Sequence, residues 1–196
     1  MNNGAICEHC GRKTIQNETY CLSCKENFIN IDKARSSFCY EKPISFLIQK
    51  YKYSGKKYLA DLFAHYLFIT LTENMLTADY IVFVPMTEKS LKQRGFNHGQ
   101  LLAEKLSEKT GIPCLDIIKK IKETPRQAKL TRGERLKNLK GCFRLTKRKI
   151  ISGKNVLIVD DVLTTGSTSE TIAKILKKAN AKTVNLLTIA SVPSKK

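Results

Sequence analysis

Apolar residues recur at the spacing of a helix face in several parts of the chain. Residues 56–76 carry apolar side chains three and four positions apart and predict an amphipathic helix. A second helix, around residues 101–106, is predicted to end at Gly111, with Pro113 two positions beyond. A third helix is predicted over residues 172–179. The positions that define the three faces are Leu59, Leu62, Phe63, Tyr66, Leu67, Thr70, Leu101, Leu102, Leu106, Ile172, Ile175, Leu176 and Ala179.

Short continuous apolar runs between these helices predict buried strands. They cover residues 80–84, 156–159 and 184–192, and a further short strand is predicted at 113–118. Strands that alternate with helices need crossover connections, which produce a parallel sheet covered by helices on both faces. The pattern therefore predicts an α/β domain with an open, mainly parallel sheet and flanking helices.

One segment, residues 119–154, interrupts this alternation and is strongly basic. It holds fourteen Lys and Arg against two Glu, a net charge of +12 out of +18 for the whole chain of 196 residues. Turn-forming pairs, Thr124-Pro125 and Arg132-Gly133, lie within it. So long an insert is typical of a functional segment, and its charge favours polyanions: nucleic acid, anionic lipid or phosphorylated ligands.

The distribution of apolar and cysteine residues bears on the compartment. No apolar run reaches the 18 residues of a membrane span, and the first residues lack the features of a secretory signal. Seven cysteines, an odd number, argue against a disulfide framework in such a chain. We therefore expect a cytoplasmic protein with no membrane span, with the inner face of the cytoplasmic membrane as an alternative location.

Four of the cysteines are grouped within the first 30 residues as two CxxC pairs separated by ten residues. Each pair directs two sulfurs to one point, and the intervening residues allow a hairpin to join the pairs. Four thiolates favour a closed, structural Zn²⁺ site, with an iron–sulfur centre or a redox-active pair as alternatives. We therefore predict a zinc ribbon over residues 1–30 and a second domain over residues 36–196. The predicted ligands are Cys7, Cys10, Cys21 and Cys24.

The segment 156–168 combines a buried strand, two adjacent carboxylates and a loop rich in Thr, Gly and Ser before a helix. Backbone N–H groups at the start of a helix, together with hydroxyls, can bind a phosphate, and Gly166 allows a close approach. Asp160 and Asp161 would repel that phosphate unless they face sugar hydroxyls or a cation. The segment therefore indicates a ribose phosphate ligand, with a simple capped helix after a core strand as the alternative.

These residues resemble the phosphoribosyl-pyrophosphate (PRPP) motif of type I phosphoribosyltransferases. The stretch Lys89-x2-Lys92-Gln-Arg-Gly-Phe-Asn97 resembles one found in ComF-type competence proteins. So do residues 125–130 followed by 132–143, which fit the pattern Q-x-x-L…R-x-x-N-x-x-x-x-F. With the cysteine ribbon in front, the resemblance to ComFC-like (ComF/GntX-like) proteins covers nearly the whole chain and implies a type I phosphoribosyltransferase-like fold.

The resemblance also implies roles for individual residues. Asp160 and Asp161 would accept hydrogen bonds from the ribose hydroxyls, while Arg94 and Lys92 would meet the pyrophosphate, accompanied by Mg²⁺. A mobile hood over the ligand would correspond to part of residues 120–142. The 5′-phosphate would be bound by Leu163, Thr164, Thr165, Gly166, Ser167 and Thr168.

The function implied by the resemblance is natural transformation, with binding of single-stranded DNA during uptake and a helicase-like competence ATPase as a partner. An active phosphoribosyltransferase with an unknown acceptor is the alternative, although no residue stands out as its acid or base. A third hypothesis is an interaction module that docks the helicase through the zinc ribbon. The cations expected to bind the DNA backbone are Arg126, Lys129, Arg132, Arg135, Lys137, Lys140 and Arg144.

Overall fold

The computed structural model describes residues 6–14, 18–27, 29–123 and 138–193. A 3-10 turn at Arg148–Ile151 precedes the central strand Asn155–Leu163. The helices and strands, in chain order, are α1 (Leu22–Asn27), β1 (Lys33–Cys39), α2 (Ile44–Tyr53), α3 (Leu59–Glu73), β2 (Tyr80–Phe83), α4 (Glu88–Arg94), α5 (His98–Thr110), β3 (Ile118–Lys120), β4 (Phe143–Leu145), β5 (Asn155–Leu163), α6 (Ser167–Lys177) and β6 (Thr183–Ser191).

The centre of the fold is a four-stranded sheet in the order β1-β6-β5-β2. All neighbours are parallel, with Val156 of β5 opposite Val184 of β6 and Ile158 of β5 opposite Val82 of β2. The carboxyl ends of the strands therefore share one edge, which is where ligands bind in open α/β sheets. The α/β class and the parallel sheet predicted from the sequence are confirmed.

Helices cover both faces of this sheet. Successive residues of β5 therefore point into two different apolar cores, one on each face. Val156 and Ile158 face a core shared with α6, the four-cysteine segment and the β3–β4 pair. Leu157 and Val159 face a second core, built with α2, α3 and α5. A central strand buried on both faces explains why this run is continuously apolar in the sequence.

The three predicted helices are present as α3, α5 and α6, within a few residues of the expected bounds. Helix α5 ends where the sequence indicated: Gly111 adopts the left-handed conformation, φ 73°, and its N–H bonds the Ser107 carbonyl. Its start is capped by Asn97, whose side chain accepts hydrogen bonds from the N–H groups of Gly99 and Gln100.

The prediction of one strand over residues 113–118 is only partly right. Cys114 makes an isolated parallel bridge to Ile81, and the chain then turns into β3, which pairs antiparallel with β4 in a separate two-stranded sheet. Because β2 is only four residues long, it offers the passing segment little edge to pair with. The β3–β4 pair forms the base of the basic insert.

Strand β1 was not expected from the sequence. Its residues Arg35, Ser36 and Ser37 are polar and lack an alternating pattern. They form a strand because β6 supplies a partner edge, with Ala34 opposite Leu186. The hydroxyls of Ser36 and Thr188 hydrogen-bond across the pair at 2.6 Å.

No helix in the four described ranges has both the length and the apolar character of a membrane-spanning segment.

Candidate phosphate and metal sites

The loop between β5 and α6 has the backbone geometry of an anion site. Gly166 occupies the N-cap of α6 with φ 74°, a conformation that favours glycine, and it provides no side-chain cap. The first N–H groups of α6 therefore lack intrahelical partners and point toward the loop. The hydroxyls of Thr165 and Ser167 lie 3.0 Å apart beside them. The N–H of Val192 fixes the loop's start by donating to the Leu163 carbonyl at 2.9 Å.

Asp161, near the end of β5, is held by two cationic or hydrogen-bonding side chains. Its Oδ1 lies 2.9 Å from Nζ of Lys52 in α2, and its Oδ2 lies 2.7 Å from Nε2 of His98 at the start of α5. Burial by itself raises the pKa of this carboxyl group, but Lys52 and His98 outweigh burial and hold the pKa below its usual range. In turn, Asp161 raises the pKa of Lys52 in spite of the lysine's burial. Asp161 is therefore an ionised, internally paired carboxylate.

Aromatic packing brings Lys52 and His98 to this position. Tyr51, fully buried, donates a hydrogen bond from its hydroxyl to the His98 carbonyl at 2.6 Å. Its ring makes edge contacts with Phe63 and Phe96, at centroid distances of 5.7 and 5.8 Å. The stretch Gly95-Phe96-Asn97 thus turns the chain from α4 to α5 and delivers His98 to Asp161.

Asp160, the neighbouring carboxylate, is in a different environment. Successive residues of a strand point to opposite faces, so Asp160 lies on the side of α6 while Asp161 points toward α2 and α5. Burial, and then the charge of Asp161, raise the pKa of Asp160. Its Oδ1 accepts a hydrogen bond from the Asp161 N–H at 2.8 Å, and the residue is only half-buried. Asp160 is therefore a carboxylate whose ionisation a cation or hydroxyl donors would favour.

The two cations assigned to the pyrophosphate are exposed on α4. The guanidinium of Arg94 lies over the ring of Tyr53, 5.2 Å from the ring centroid. Tyr53 directly follows Lys52 in the chain. Within the described ranges, neither Arg94 nor Lys92 forms an ion pair with Asp160 or Asp161. Their role toward a ligand stays a prediction.

A cavity of about 620 Å³ lies at the end of β2, whose last residue, Phe83, pairs with Val159 of β5. Its walls come from the loop after β2, from α4, from the first turn of α5 and from β3, and they include Thr87, Lys89, Asn97 and Gln100. Asp160, Asp161 and the loop between β5 and α6 are not among its lining residues. The cavity is a neighbouring space, of the size that small-molecule ligands occupy.

The four predicted metal ligands come together as a buried cluster. Their sulfur atoms all lie within 4.8 Å of one another, and Cys10 and Cys21 are 3.6 Å apart. A tetrahedral ion with metal–sulfur distances of about 2.3 Å separates its ligands by about 3.8 Å, so the cluster fits such an ion. Gly11, with φ 70°, allows a tight turn in the first cysteine knuckle, residues 7–12. A Cβ atom at Gly11 would lie 3.1 Å from the side chain of Arg35. The structure thus provides a closed four-cysteine site that could hold a metal.

The basic insert is described in part. Lys140 and Arg144 are exposed, and Arg144 stands directly opposite Lys119 across the β3–β4 pair. Like charges directly opposite each other destabilise a sheet. Asp116 forms an ion pair with Lys119 and so offsets part of this repulsion. Phe143 of β4 belongs to the core. The other cations assigned to DNA lie outside the described residues: Arg126, Lys129, Arg132, Arg135 and Lys137.

Sequence reasoning missed Lys52 and His98. Helix α2 contains two lysines, Lys50 and Lys52, and the sequence around them does not show which one is largely buried. A signal did exist for His98, because it directly follows Asn97 at the start of a helix and lies next to the ComF-like stretch.

Comparison with known proteins now defines the class. The family model of the phosphoribosyl transferase domain matches residues 91–196, more than half of the chain, including β5, α6 and the loop between them. The fold and the loop therefore belong to a phosphoribosyl transferase domain.

Relatives in bacteria define the family more closely. Competence protein F of Haemophilus influenzae is 31% identical over 94% of this chain and 83% of its own length. DNA utilization protein YhgH of Escherichia coli O157:H7 is 30% identical over 92% of this chain and 82% of its own length. Competence protein ComFC of Bacillus subtilis is 25% identical over 95% of this chain and 78% of its own length. The chain belongs to the ComF family of competence proteins.

Proposed function

We propose that this protein acts in natural transformation, where it binds single-stranded DNA and also binds a phosphoribosyl ligand of the PRPP type. The observation that carries the ligand assignment is the arrangement at the end of β5. There, an internally paired Asp161 and a half-buried Asp160 with a raised pKa directly precede a loop and helix start suited to a phosphate. The names of the relatives support the competence role.

In this proposal the 5′-phosphate binds to loop residues 163–168, where N–H groups and hydroxyls donate hydrogen bonds. The ribose hydroxyls donate to Asp160 and Asp161. Although Lys52 and His98 engage both oxygens of Asp161, a carboxylate offers about four acceptor positions, so free lone pairs remain. Lys52 and His98 act through Asp161 by keeping it ionised and oriented.

The pyrophosphate binds beyond β2, with Arg94 and Lys92 of α4 as its cations and Mg²⁺ as its counterion. The donor set fits such an ion, because Mg²⁺ prefers carboxylate and phosphate oxygens and Asp160 lacks a direct cationic partner among the described residues. When bound, Mg²⁺ would neutralise charge on the pyrophosphate.

A binding experiment with PRPP and Mg²⁺ tests the ligand assignment. At 100 times its dissociation constant, a ligand of the native state adds about 2.7 kcal/mol of stability. For a chain of this size that corresponds to a rise in melting temperature of about 5–10 °C. The rise should occur in the wild type and disappear in Asp160→Asn.

The matched control is Asp61→Asn, which removes an exposed carboxylate on α3, outside the proposed site. It should retain the full shift. An Asp160→Asn protein that is stabilised by PRPP as much as the wild type would contradict the assignment.

The DNA assignment rests on the exposed cations of the insert. Their phosphate contacts would carry no direct base information, so binding should be largely independent of sequence. For single strands, the logarithm of the binding constant should fall linearly with the logarithm of the salt concentration, with a slope of about −0.7 per neutralised phosphate. The exposed cations of the described part of the insert are Lys119, Lys122, Lys140, Arg144, Lys147, Arg148, Lys149 and Lys154.

A fluorescence-anisotropy salt titration with a labelled oligonucleotide provides the test. Arg144→Gln combined with Arg148→Gln should lower the slope by about 1.4 if each cation neutralises one phosphate. Lys109→Gln combined with Lys178→Gln removes two exposed cations on α5 and next to α6, and should leave the slope unchanged. An affinity that does not depend on salt, or an equal change in both proteins, would refute the assignment.

Transfer of the phosphoribosyl group to an acceptor is a second candidate function, and the 620 Å³ cavity at the end of β2 supports it. Release of pyrophosphate from PRPP in the presence of a panel of nucleobases is the measurement. No release with any base would leave a binding protein and exclude transfer to the bases tested.

Zn²⁺ is the metal that we propose for the four-cysteine cluster, where four thiolates close the coordination sphere and make the site structural. A helicase-like competence ATPase as a partner stays a prediction from the family resemblance.

A further inference from the structure

Arg12 connects the cysteine cluster to the phosphate loop. It closes the first knuckle, since its carbonyl accepts a hydrogen bond from the Cys7 N–H at 2.8 Å. Its side chain reaches the loop, where Nη2 donates to the carbonyl of Thr164 at 3.2 Å. Thr164 is the first residue after β5 in the loop. A residue fixed by the metal knuckle therefore holds the backbone of the loop.

The environment of Arg12 is unusual for a guanidinium group. The residue is only 6% exposed, and its Nε atom finds no hydrogen-bond partner within the described residues. No carboxylate of the described chain forms an ion pair with Arg12. Since arginine is always charged in proteins, Arg12 is a buried cation that lies near the cysteine thiols and also beside the loop. A phosphate bound in the loop would supply an anion on the loop side of this cation.

A second contact joins the same two parts of the molecule. Glu170, in the first turn of α6, accepts hydrogen bonds from the backbone N–H groups of Ile29 at 3.2 Å and Asn30 at 2.8 Å. These residues directly follow the cysteine segment. The segment is therefore attached both to the start of the loop and to the helix that the loop leads into.

We propose that Arg12 belongs to the phosphate site as a positioning residue, and that metal binding by the cysteine cluster sets the affinity of the loop for phosphate. Arg12 holds the Thr164 carbonyl, which orients the following N–H groups, and its charge attracts the bound anion. Loss of the metal frees the knuckle and withdraws both effects. This inference rests on the proposed binding of a phosphoribosyl ligand.

The test compares Arg12→Gln with Lys13→Gln in the full chain, using PRPP with Mg²⁺ as the probe and zinc content as the check on folding. Lys13 is the adjacent, exposed cation, so its variant removes the same charge without touching the loop. Arg12→Gln should bind PRPP at least tenfold more weakly, equivalent to about 1.4 kcal/mol, while Lys13→Gln should change affinity less than twofold. Arg12→Lys, which keeps the charge without the planar fork, should restore part of the affinity.

Amide hydrogen exchange of the loop peptide gives a second measurement that does not need PRPP. Chelation of the metal should accelerate exchange at residues 163–168 in the wild type, whereas Arg12→Gln should show fast exchange with the metal still bound. If Arg12→Gln loses its metal, the Arg12→Lys variant provides the comparison. Equal PRPP affinity and equal loop exchange in wild type and Arg12→Gln would overturn the inference. Failure of the wild type to bind PRPP, with the exchange pattern intact, would instead refute the proposed ligand.

Discussion

The two adjacent aspartates of β5 should respond to the same substitution with opposite effects on stability. Asp160→Asn keeps the oxygen that accepts the Asp161 N–H but removes a carboxylate whose ionisation the fold disfavours. Asp161→Asn removes the partner of Lys52, whose side chain is 20% exposed, and leaves a largely buried charge unpaired.

The sign and size follow from the pKa of Asp160, which rises from 3.8 to about 7 in the folded protein. Below pH 3.8 the carboxyl group is protonated in both states and contributes nothing. As the pH rises toward 7, the unfolded chain ionises while the folded protein keeps its proton, so stability falls. The penalty is complete above pH 7, and at about 1.4 kcal/mol per pH unit it is at most about 4 kcal/mol.

Asp161 behaves in the opposite way. Because its pKa is lowered, its stabilising contribution is present above pH 3.8 and is lost only at strongly acidic pH. Between pH 5 and 8 Asp161 itself does not titrate, so Asp161→Asn should destabilise the protein by a nearly constant amount. Removing one partner of a buried ion pair costs about 3–5 kcal/mol.

Urea denaturation of the wild type and both variants at pH 5, 6, 7 and 8 is the assay. The stability gain of Asp160→Asn should grow between pH 5 and 7 and then level off, reaching about 1–4 kcal/mol. Asp61→Asn again serves as the exposed control. A loss of stability in Asp160→Asn at pH 8, or a gain that is independent of pH, would refute the reasoning about its environment.

Three further predictions concern the metal, the ligand and the anchor of Asp161. Protein purified without added metal should contain one Zn²⁺ per chain by elemental analysis. The Cys10→Ser variant should lose the metal, and its first 30 residues should unfold. Iron in place of zinc, or a folded N-terminal segment without metal, would contradict this prediction. The affinity of the wild type for PRPP should fall up to tenfold per pH unit as the pH drops below about 7, because protonated Asp160 is a poorer acceptor, and calorimetry at several pH values would show it. Lys52→Met should destabilise the domain by about 3 kcal/mol in denaturant titrations, since it leaves Asp161 without its buried cation. A change below about 0.5 kcal/mol would show that the ion pair contributes little to stability.

The local features of the site could be predicted from the sequence because strand, carboxylates, loop and helix follow one another within residues 156–168. Backbone geometry acts over a few residues, so the Thr-Thr-Gly-Ser stretch specifies its own turn and helix start. The same holds for the cysteine pairs, whose spacing alone brings each two sulfurs together. The alternation of short apolar runs with helical segments likewise predicted the parallel sheet.

Only the tertiary structure decided how the two aspartates differ. The two residues are identical and adjacent, so the sequence does not distinguish their roles. The pleat of β5 directs Asp161 toward Lys52 and His98, which come from distant parts of the chain. The pKa values of the pair then diverge because burial and partner charges depend on that packing. Strand β1 is similar, since its polar residues form a strand only where the edge of β6 provides hydrogen-bond partners. The contact from Arg12 to Thr164 also joins two segments with no relation in the sequence. Interactions between distant segments depend on the whole packing arrangement, and no local pattern encodes them.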